Sequence, residues 1–492
     1  MRKGSRFLLI LTLSGGASLS SWSCSDARLQ FSTGVAIEDV NVIDVEGGAV
    51  REHMTVVVQG RRIVAIEPAS RVLLGDSAET VHGAGRFLIP GLWDMHVHAL
   101  DPDFEYLLPL YVANGVTGIR DMWGDLEVAS RVRTAVEAGD RVSPRFVTPG
   151  NIVDGADPWW PGSVEADNAE RGVFVVDSLA AASASFIKVY SLLTPETYRA
   201  ILQRAREVGL PAAGHVPFLV SAAGASDLGQ ASMEHLFGIM EGCSRFEDSL
   251  RKERSIWLAA RARGDEDAHN PFFDVEVYRR ILDGFDPARC EGLLQRLADN
   301  GTWQVPTLAI SRADPLMHDS TFLSDPRLGL LTGDELDSWK RTLESVRSEG
   351  EEVRKWQWAY YELELEITGM MADMGVPILP GTDCPGPFLF PGFSLHDELE
   401  ILVEAGLSEA QTLRAATYEP AVYFGATDSL GTVEVGKLAD LVLLEGNPLD
   451  AISNTRRIAA VVADGRLFTR EGLDSLFVEV RARAGEPGGA GS

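Results

Sequence analysis

Cysteine is scarce in these 492 residues: Cys24, Cys243, Cys290 and Cys384 are all there is. Beyond Cys24 the set is odd and has no tight spacing, which argues against a disulfide framework. Cys243 with Cys290 is a conceivable pair in an exported chain, but unpaired buried thiols are the expectation. Positive charge is also short, with 44 Lys and Arg against 72 Asp and Glu and a net charge of −28. So acidic a surface disfavours nucleic acid and anionic lipid headgroups as partners. It carries no information about a reaction. A GxSxG elbow is missing, and so are internal repeats. Apolar runs long enough to cross a bilayer are missing too: the stretch "FLLILTLSGGASL" is too short. The end of the chain, "RARAGEPGGAGS", is rich in Gly and Ala, and residues 479–492 are expected to be a disordered tail.

The first residues nevertheless have a recognisable order. Arg2, Lys3 and Arg6 precede the apolar stretch, and small residues lead to Cys24 in "SSWSC". A basic segment followed by a short apolar one is an export signal. Residues 1–24 resemble a bacterial lipoprotein signal, in which the cysteine becomes the lipid-bearing first residue. Ser21 and Trp22 depart from the usual aliphatic and small residues, so lipidation and ordinary cleavage both stay open. The expectation is export from a bacterial cytoplasm to the periplasm or to the cell envelope. A lipid anchor at Cys24 would be the one membrane contact.

Residues 28–89 run in short β-type segments such as "VAIEDVNVIDV" and "MTVVVQGRRIVAI", with Gly and Asp turns between them. The same character returns within 426–478, in "KLADLVLLEG" and "RIAAVVADGRLF". Two β-rich pieces flanking a long middle predict one small β-sandwich built from both termini. The middle, 90–425, alternates strands with helices, the pattern of a parallel sheet in an α/β fold. Its strand candidates are "GLWDMHV", "GVTGIRDM", "RFVTPG", "SFIKVY", "LPAAGHV", "ASMEHL", "WQVPTLAI" and "VPILPGTD". Eight is the count of a (β/α)8 TIM barrel, and the length suits such a barrel with an accessory domain. After the fourth strand, Thr194 and Pro195 read as N-cap and first helical residue, and Gly209 as the stop. Ser408 with Gln411 reads as a capping box for the last barrel helix. The spacing stretches between Cys243 and Trp303 and between Ser311 and Ile367. Those charged helical insertions belong to the sixth and seventh βα loops, near the barrel mouth, and their charge runs read as solvated helix faces.

Only nine histidines occur in the chain, and two of them stand in "IPGLWDMHVHAL". In a strand, residues two apart share a face, so His96 and His98 could hold one metal ion. Taken alone, such a pair reads equally well as core or solvent-facing histidines. The other strand ends decide. Lys188 lies in the fourth strand, His215 ends the fifth, His235 the sixth and Asp383 the eighth. A barrel works at the C-terminal ends of its strands, so these residues face one mouth. Each has a bland reading by itself; together they point to a metal site.

These motifs resemble the amidohydrolase superfamily, and within it the imidazolonepropionase-like, prolidase-like branch of secreted hydrolases. The resemblance covers nearly the whole mature chain. It rests on "GLWDMHVH", "FIKVYSLL", "GLPAAGHVP", "SMEHL", "PILPGTD" and the closing "GTVEVGKLADLVLLEGNPL". It implies two divalent metal ions, with Lys188 carboxylated by CO2 as the bridge. His96, His98, Lys188 and Asp383 would hold one ion, and Lys188, His215 and His235 the other. Imidazoles and carboxylates suit Zn2+. Two metals lower the pKa of a bridging water and polarise a scissile carbonyl, and Asp383 could take the proton and deliver it to the leaving amine.

The implied activity is hydrolysis of an amide bond in a small-molecule substrate, a dipeptide or an N-acyl amino acid. The alternative is the same centre acting on a lactone, a carbamate or another ester or amide. A mononuclear deaminase fits less well, because "GHVP" has no carboxylate beside His215 and alternation turns Glu234 away from His235. A non-catalytic binding protein would have lost ligands, and none of the six positions is lost. Substrate contacts are expected from Tyr190, from Trp159 and Trp160 in the loop "NIVDGADPWWPGS", and from Arg120. For the tryptophans the alternative is packing against a neighbouring loop, and for Arg120 an ion pair with Asp121 or Asp94. A homo-oligomer is left open.

Overall fold

A computed structural model describes residues 28–265 and 275–485. Residues 1–24, where an export signal is expected, and with them Cys24, lie outside the described residues. Five strands open the described chain: β1 Leu29–Ile43, β2 Val50–Gln59, β3 Arg62–Pro68, β4 Val72–His82 and β5 Phe87–Pro90. The middle contributes β6 Leu92–Val97, β7 Val116–Asp121, β8 Arg145–Val147, β9 Val153–Asp154, β10 Val164–Glu165, β11 Ile187–Val189, β12 Ala212–Gly214, β13 Ser232–Glu234 and β14 Trp303–Val305. The last three are β15 Leu441–Leu444, β16 Ile458–Ala463 and β17 Arg466–Thr469.

The two termini do build one β-rich unit, but it is a single hydrogen-bonded sheet in the order β17-β16-β15-β5-β1-β2-β3, with β4 branching from β1. The expected sandwich of two sheets is corrected by the length of β1, which pairs with β2, β4 and β5 and so keeps the layers connected. Alternation along β15 joins the unit to the rest. Leu441 and Leu443 enter its own core, while Val442 and Leu444 enter the core shared with Leu92, Tyr111 and Val116. The expected tail is corrected over its first residues, while 486–492 lie outside the described residues. A helix runs over Arg470–Ala484, capped by Thr469, and buries Leu473, Leu476 and Val480. That apolar spacing holds residues 479–484 in place despite their composition.

In the middle, parallel pairing passes from β6 to β7 and β8. The Ser185 amide donates to the Thr148 carbonyl at 2.8 Å, and pairing then runs through β11, β12, β13 and β14. The eighth candidate forms no regular strand. It lies extended and bridges its neighbours through Gln304 with Ile378 and Val97 with Cys384. Two prolines, Pro377 and Pro380, remove donors there, which leaves isolated bridges in place of a ladder. The result is a mixed α/β fold consistent with a barrel carrying a β-rich terminal domain. Thr194, Pro195 and Gly209 bound their helix as expected, and Ser408 forms its capping box with Gln411.

Helices fill both insertions: Glu247–Arg261, Val275–Gly284 and Pro287–Asn300 in the first, Leu308–Leu316, Gly333–Ser348 and Glu351–Asp373 in the second. Cys243 and Cys290 form a disulfide, contrary to the expected free thiols. The helix Pro287–Asn300 lays Cys290 on its buried face with Leu294 and Leu297, which brings it to the end of the short helix Ile239–Gly242. Cys384 is a free, buried thiol. No described helix is long and apolar enough to cross a membrane.

Candidate metal centre

The residues singled out at the strand ends meet on one wall of a cavity of about 740 Å³. His96, His98, Lys188, His215, His235 and Asp383 all line it. The His96 ring lies 4.5 Å from that of His235, and His235 lies 5.0 Å from His215. Asp383 Oδ1 stands 2.9 Å from His98 Nε2 and 3.1 Å from His96 Nε2.

Three of the four imidazoles are fixed through Nδ1. His96 Nδ1 is 2.8 Å from Glu234 Oε2, His215 Nδ1 is 2.9 Å from Ser191 Oγ, and His235 Nδ1 is 2.7 Å from Thr307 Oγ1. Holding Nδ1 fixes the ring plane and leaves Nε2 to face the centre, as metal-binding histidines require. Asp94 accepts from the Thr382 amide and hydroxyl and so ties the segment carrying Asp383 to β6. Gly381 belongs to the same junction, since a Cβ there would meet His96 Cβ at 2.7 Å.

Lys188 is 1% exposed. Burial lowers its pKa to about 8, against the opposing charges of Glu234 and Asp383. The chain makes room for it at Gly214 on the next strand, where φ is +130° and a Cβ would come within 2.9 Å of Lys188 Cδ. Burial holds His235 at about 3 and His215 well below the usual imidazole range. Both therefore keep free lone pairs at neutral pH. Burial opposes ionisation of Asp383, but the imidazoles of His235 and His96 draw it well below the usual carboxylate range. Neutral imidazoles, an ionised carboxylate and a lysine with a depressed pKa are a donor set for divalent cations. His96 Nε2, close to Asp383 but outside hydrogen-bond direction, is buried without a partner, and a metal would fill that need. His96, His98 and Asp383 offer ligand atoms close enough to hold one ion, and the surrounding donor set fits a divalent metal.

Two expectations about polar residues are corrected. Arg120 does not reach the cavity. It is fully buried, donating to Met95 O, Ser232 Oγ, the Tyr423 hydroxyl and Glu234, so neither a substrate contact nor a pair with Asp94 or Asp121 forms. Asp121 accepts from Ala99 N, Leu100 N and Thr148 Oγ1 instead. Glu234 does not turn away from the site: its carboxylate bridges Arg120 and His96. Strict alternation fails because His235 and Leu236 take left-handed backbone, at φ 59° and 53°. The strand twists out of register there, and both Glu234 and His235 serve the same cluster.

Tyr190 lines the cavity and stacks on His215 with ring centres 4.0 Å apart. Burial raises its phenol, which stays a hydrogen-bond donor at neutral pH. Trp160 is 42% exposed and stacks 5.9 Å from His98, over the centre. Trp159 also lines the cavity but packs on Phe218 and Trp257. His396 stays away, bonded to Thr455 Oγ1 and to the Asn114 carbonyl. The opposite wall escaped the strand-end reading, because Tyr278, Asp314, Tyr360 and Glu364 come from the insertions. One signal was present: Tyr361, Glu364 and Thr368 share the buried face of their helix with Ile367 and Met371, a spacing that sets Glu364 inside.

The amidohydrolase family model matches residues 365–468. A curated relative, a dihydroorotase from Carboxydothermus hydrogenoformans, is 36% identical over 92 residues, 18% of this chain. The aligned stretch spans only 20% of that relative's length. Among solved structures, bottromycin amidohydrolase superposes with a TM-score of 0.69 at 24% identity, covering 92% of this chain and 90% of that one. An Xaa-Pro dipeptidase with bound methionine in its active site superposes with a TM-score of 0.61 at 18% identity, covering 88% and 99%. The chain thus carries an amidohydrolase-family segment, and its fold is shared with prolidase-like and other amidohydrolases.

Proposed function

We propose that this chain is an exported hydrolase of the amidohydrolase type, a (β/α)8 barrel that cleaves an amide bond of a dipeptide or N-acyl amino acid. The observation that carries the reading is the convergence of His96, His98, His215, His235 and Asp383 around a buried lysine, with three rings pinned through Nδ1. His96, His98, Lys188 and Asp383 would hold one divalent ion, and a carboxylated Lys188 with His215 and His235 the other, zinc being the metal these donors suit. Such a pair supplies a lowered pKa for a water and polarisation of a carbonyl.

The chain's own residues do the rest. Asp383 is the base: its Oδ1 lies at the focus of His96 and His98, where it accepts a proton from the attacking water and returns it to the leaving nitrogen. Tyr190 donates to the substrate carbonyl from its stacked position on His215. Trp160 covers the centre beside His98 and keeps bulk water from it. The export reading draws support from the Cys243–Cys290 disulfide, since such bonds persist in oxidising compartments.

Purified protein should carry about two divalent ions per chain, as a binuclear site demands, and should cleave members of a panel of dipeptides and N-acyl amino acids. One ion per chain in a fully active preparation would reduce the centre to a mononuclear one. Activity confined to lactones or carbamates would move the substrate class and keep the centre.

A further inference from the structure

The cavity wall built by the helices of the second insertion carries two acids, Asp314 and Glu364. Asp314 stands on the helix Leu308–Leu316, and Glu364 on the helix Glu351–Asp373 packed against it. Both line the cavity. Glu364 is 2% exposed, and its Oε2 is buried with no hydrogen-bond partner. The Asp314 carboxylate forms no hydrogen bond or ion pair with a described residue. Asp314 is an exposed residue, and the cavity is among the spaces it lines.

The cations that line the same space are committed elsewhere. Arg254 pairs with Glu241 and lies 5.1 Å over the Phe218 ring. Lys188 sits at the strand ends, under the influence of Glu234 and Asp383. Burial raises Asp314 to about 7 and Glu364 to about 8, and the charge of Asp314 adds to the rise at Glu364. An apolar group placed here would leave Glu364 Oε2 unpaired, and an anion would be repelled by the ionised acids. A cation answers both needs, because the charge of the buried Glu364 is costly until it is paired. Tyr278 and Tyr360 line the wall beside them, edge to face at 4.9 Å. Aromatic faces attract cations.

We propose that Asp314 and Glu364 form the subsite for a cationic group of the substrate, an ammonium or a guanidinium, with Tyr278 and Tyr360 as its aromatic wall. The amides cleaved at this centre then carry a basic side chain. The proposal rests on the hydrolase reading above and names its substrate class.

The test compares dipeptides of similar length that differ in charge: Ala-Lys with Ala-Met, and Lys-Ala with Met-Ala. In one of the two orders the lysine member should have a kcat/KM about tenfold or more above the methionine member, the scale of a hydrogen bond to a charged group. Asp314→Asn and Glu364→Gln keep the shape and remove the charge, so each should cut that ratio by about tenfold. Equal rates for lysine and methionine members in both orders overturn the subsite, as does a ratio unchanged in both variants. If a variant does not fold, the wild-type ratio decides. If no dipeptide is cleaved, the dipeptide assignment fails separately, and calorimetry with agmatine judges the subsite. Agmatine should bind the wild type about tenfold more tightly than the double variant; equal binding overturns the proposal.

Discussion

The two walls of the cavity are built on opposite plans. On the strand-built wall the polar groups are mutually supported: Glu234 holds His96 and takes Arg120, Ser191 holds His215, and Thr307 holds His235. On the helix-built wall Glu364 is bonded to Ser311 alone, and among the described residues its Oε2 and the Asp314 carboxylate have no hydrogen-bond partner. A site that must present fixed atoms to a small ion needs the first plan, since a supporting shell fixes the rings before the ion arrives. A site that must accept a group of variable length tolerates the second, where the ligand completes the hydrogen bonding. Rigid strand ends and adaptable insertions thus divide the work of one cavity.

The sharpest way to break this comparison is to remove the centre of the rigid wall. Lys188→Ala should lose bound metal and abolish activity together, because the bridge proposed for the lysine would go with its amine. Acetate or propionate should restore part of both by filling the gap. Metal content and rate that stay near wild type would make Lys188 a structural lysine and reopen deamination. A smaller effect should come from the supporting hydroxyls. Ser191→Ala with Thr307→Val leaves the rings in place but frees His215 and His235 to rotate. Metal affinity should fall by about 10–100-fold, the usual cost of losing such support, as measured by competition with a chelator. An unchanged affinity would show that packing alone orients the two rings.

The same contrast explains what was legible in the sequence. His96, His98, Lys188, His215, His235 and Asp383 could be grouped because strand ends in a parallel α/β fold face one way, so position along the chain sets position in space. Helical insertions have no such rule. Asp314 and Glu364 sit among charges that mostly do face solvent, and only the buried periodicity of Tyr361, Glu364 and Thr368 marks one of them. The role of Arg120 is not legible because its partners Ser232 and Glu234 lie on β13, and pairing between strands cannot be read from neighbours in sequence. Glu234 is hidden from a sequence reading for a different reason. Alternation is a property of regular backbone, and the left-handed turn at His235 and Leu236 ends it one residue early. The Cys243–Cys290 bond depends on how the first insertion folds back on the helix Ile239–Gly242, which spacing alone does not encode.

The mildest test concerns an acid of the helical side that does have partners. Glu398, fully buried, accepts from the amides of Leu308 and Ala309, at the start of the helix that carries Asp314. Burial nonetheless raises its pKa from 4.5 to about 8, outweighing the two amides. The unfolded chain releases this proton near 4.5, whereas the folded protein keeps it until about 8. The stabilisation from the neutral acid is therefore fully present below the unfolded value and is lost as pH rises through the folded one, with a limiting slope of about 1.4 kcal/mol per pH unit. Glu398→Gln fixes the neutral form, so the variant should gain stability relative to wild type between those two values. For a chain of this size the relative gain should appear as a rise of a few degrees in melting temperature. Melting curves of both proteins at intervals across that window check the sign directly. A constant difference would mean that the two amides hold Glu398 ionised throughout, and that the helix-built wall supports its acids as firmly as the strands support their histidines.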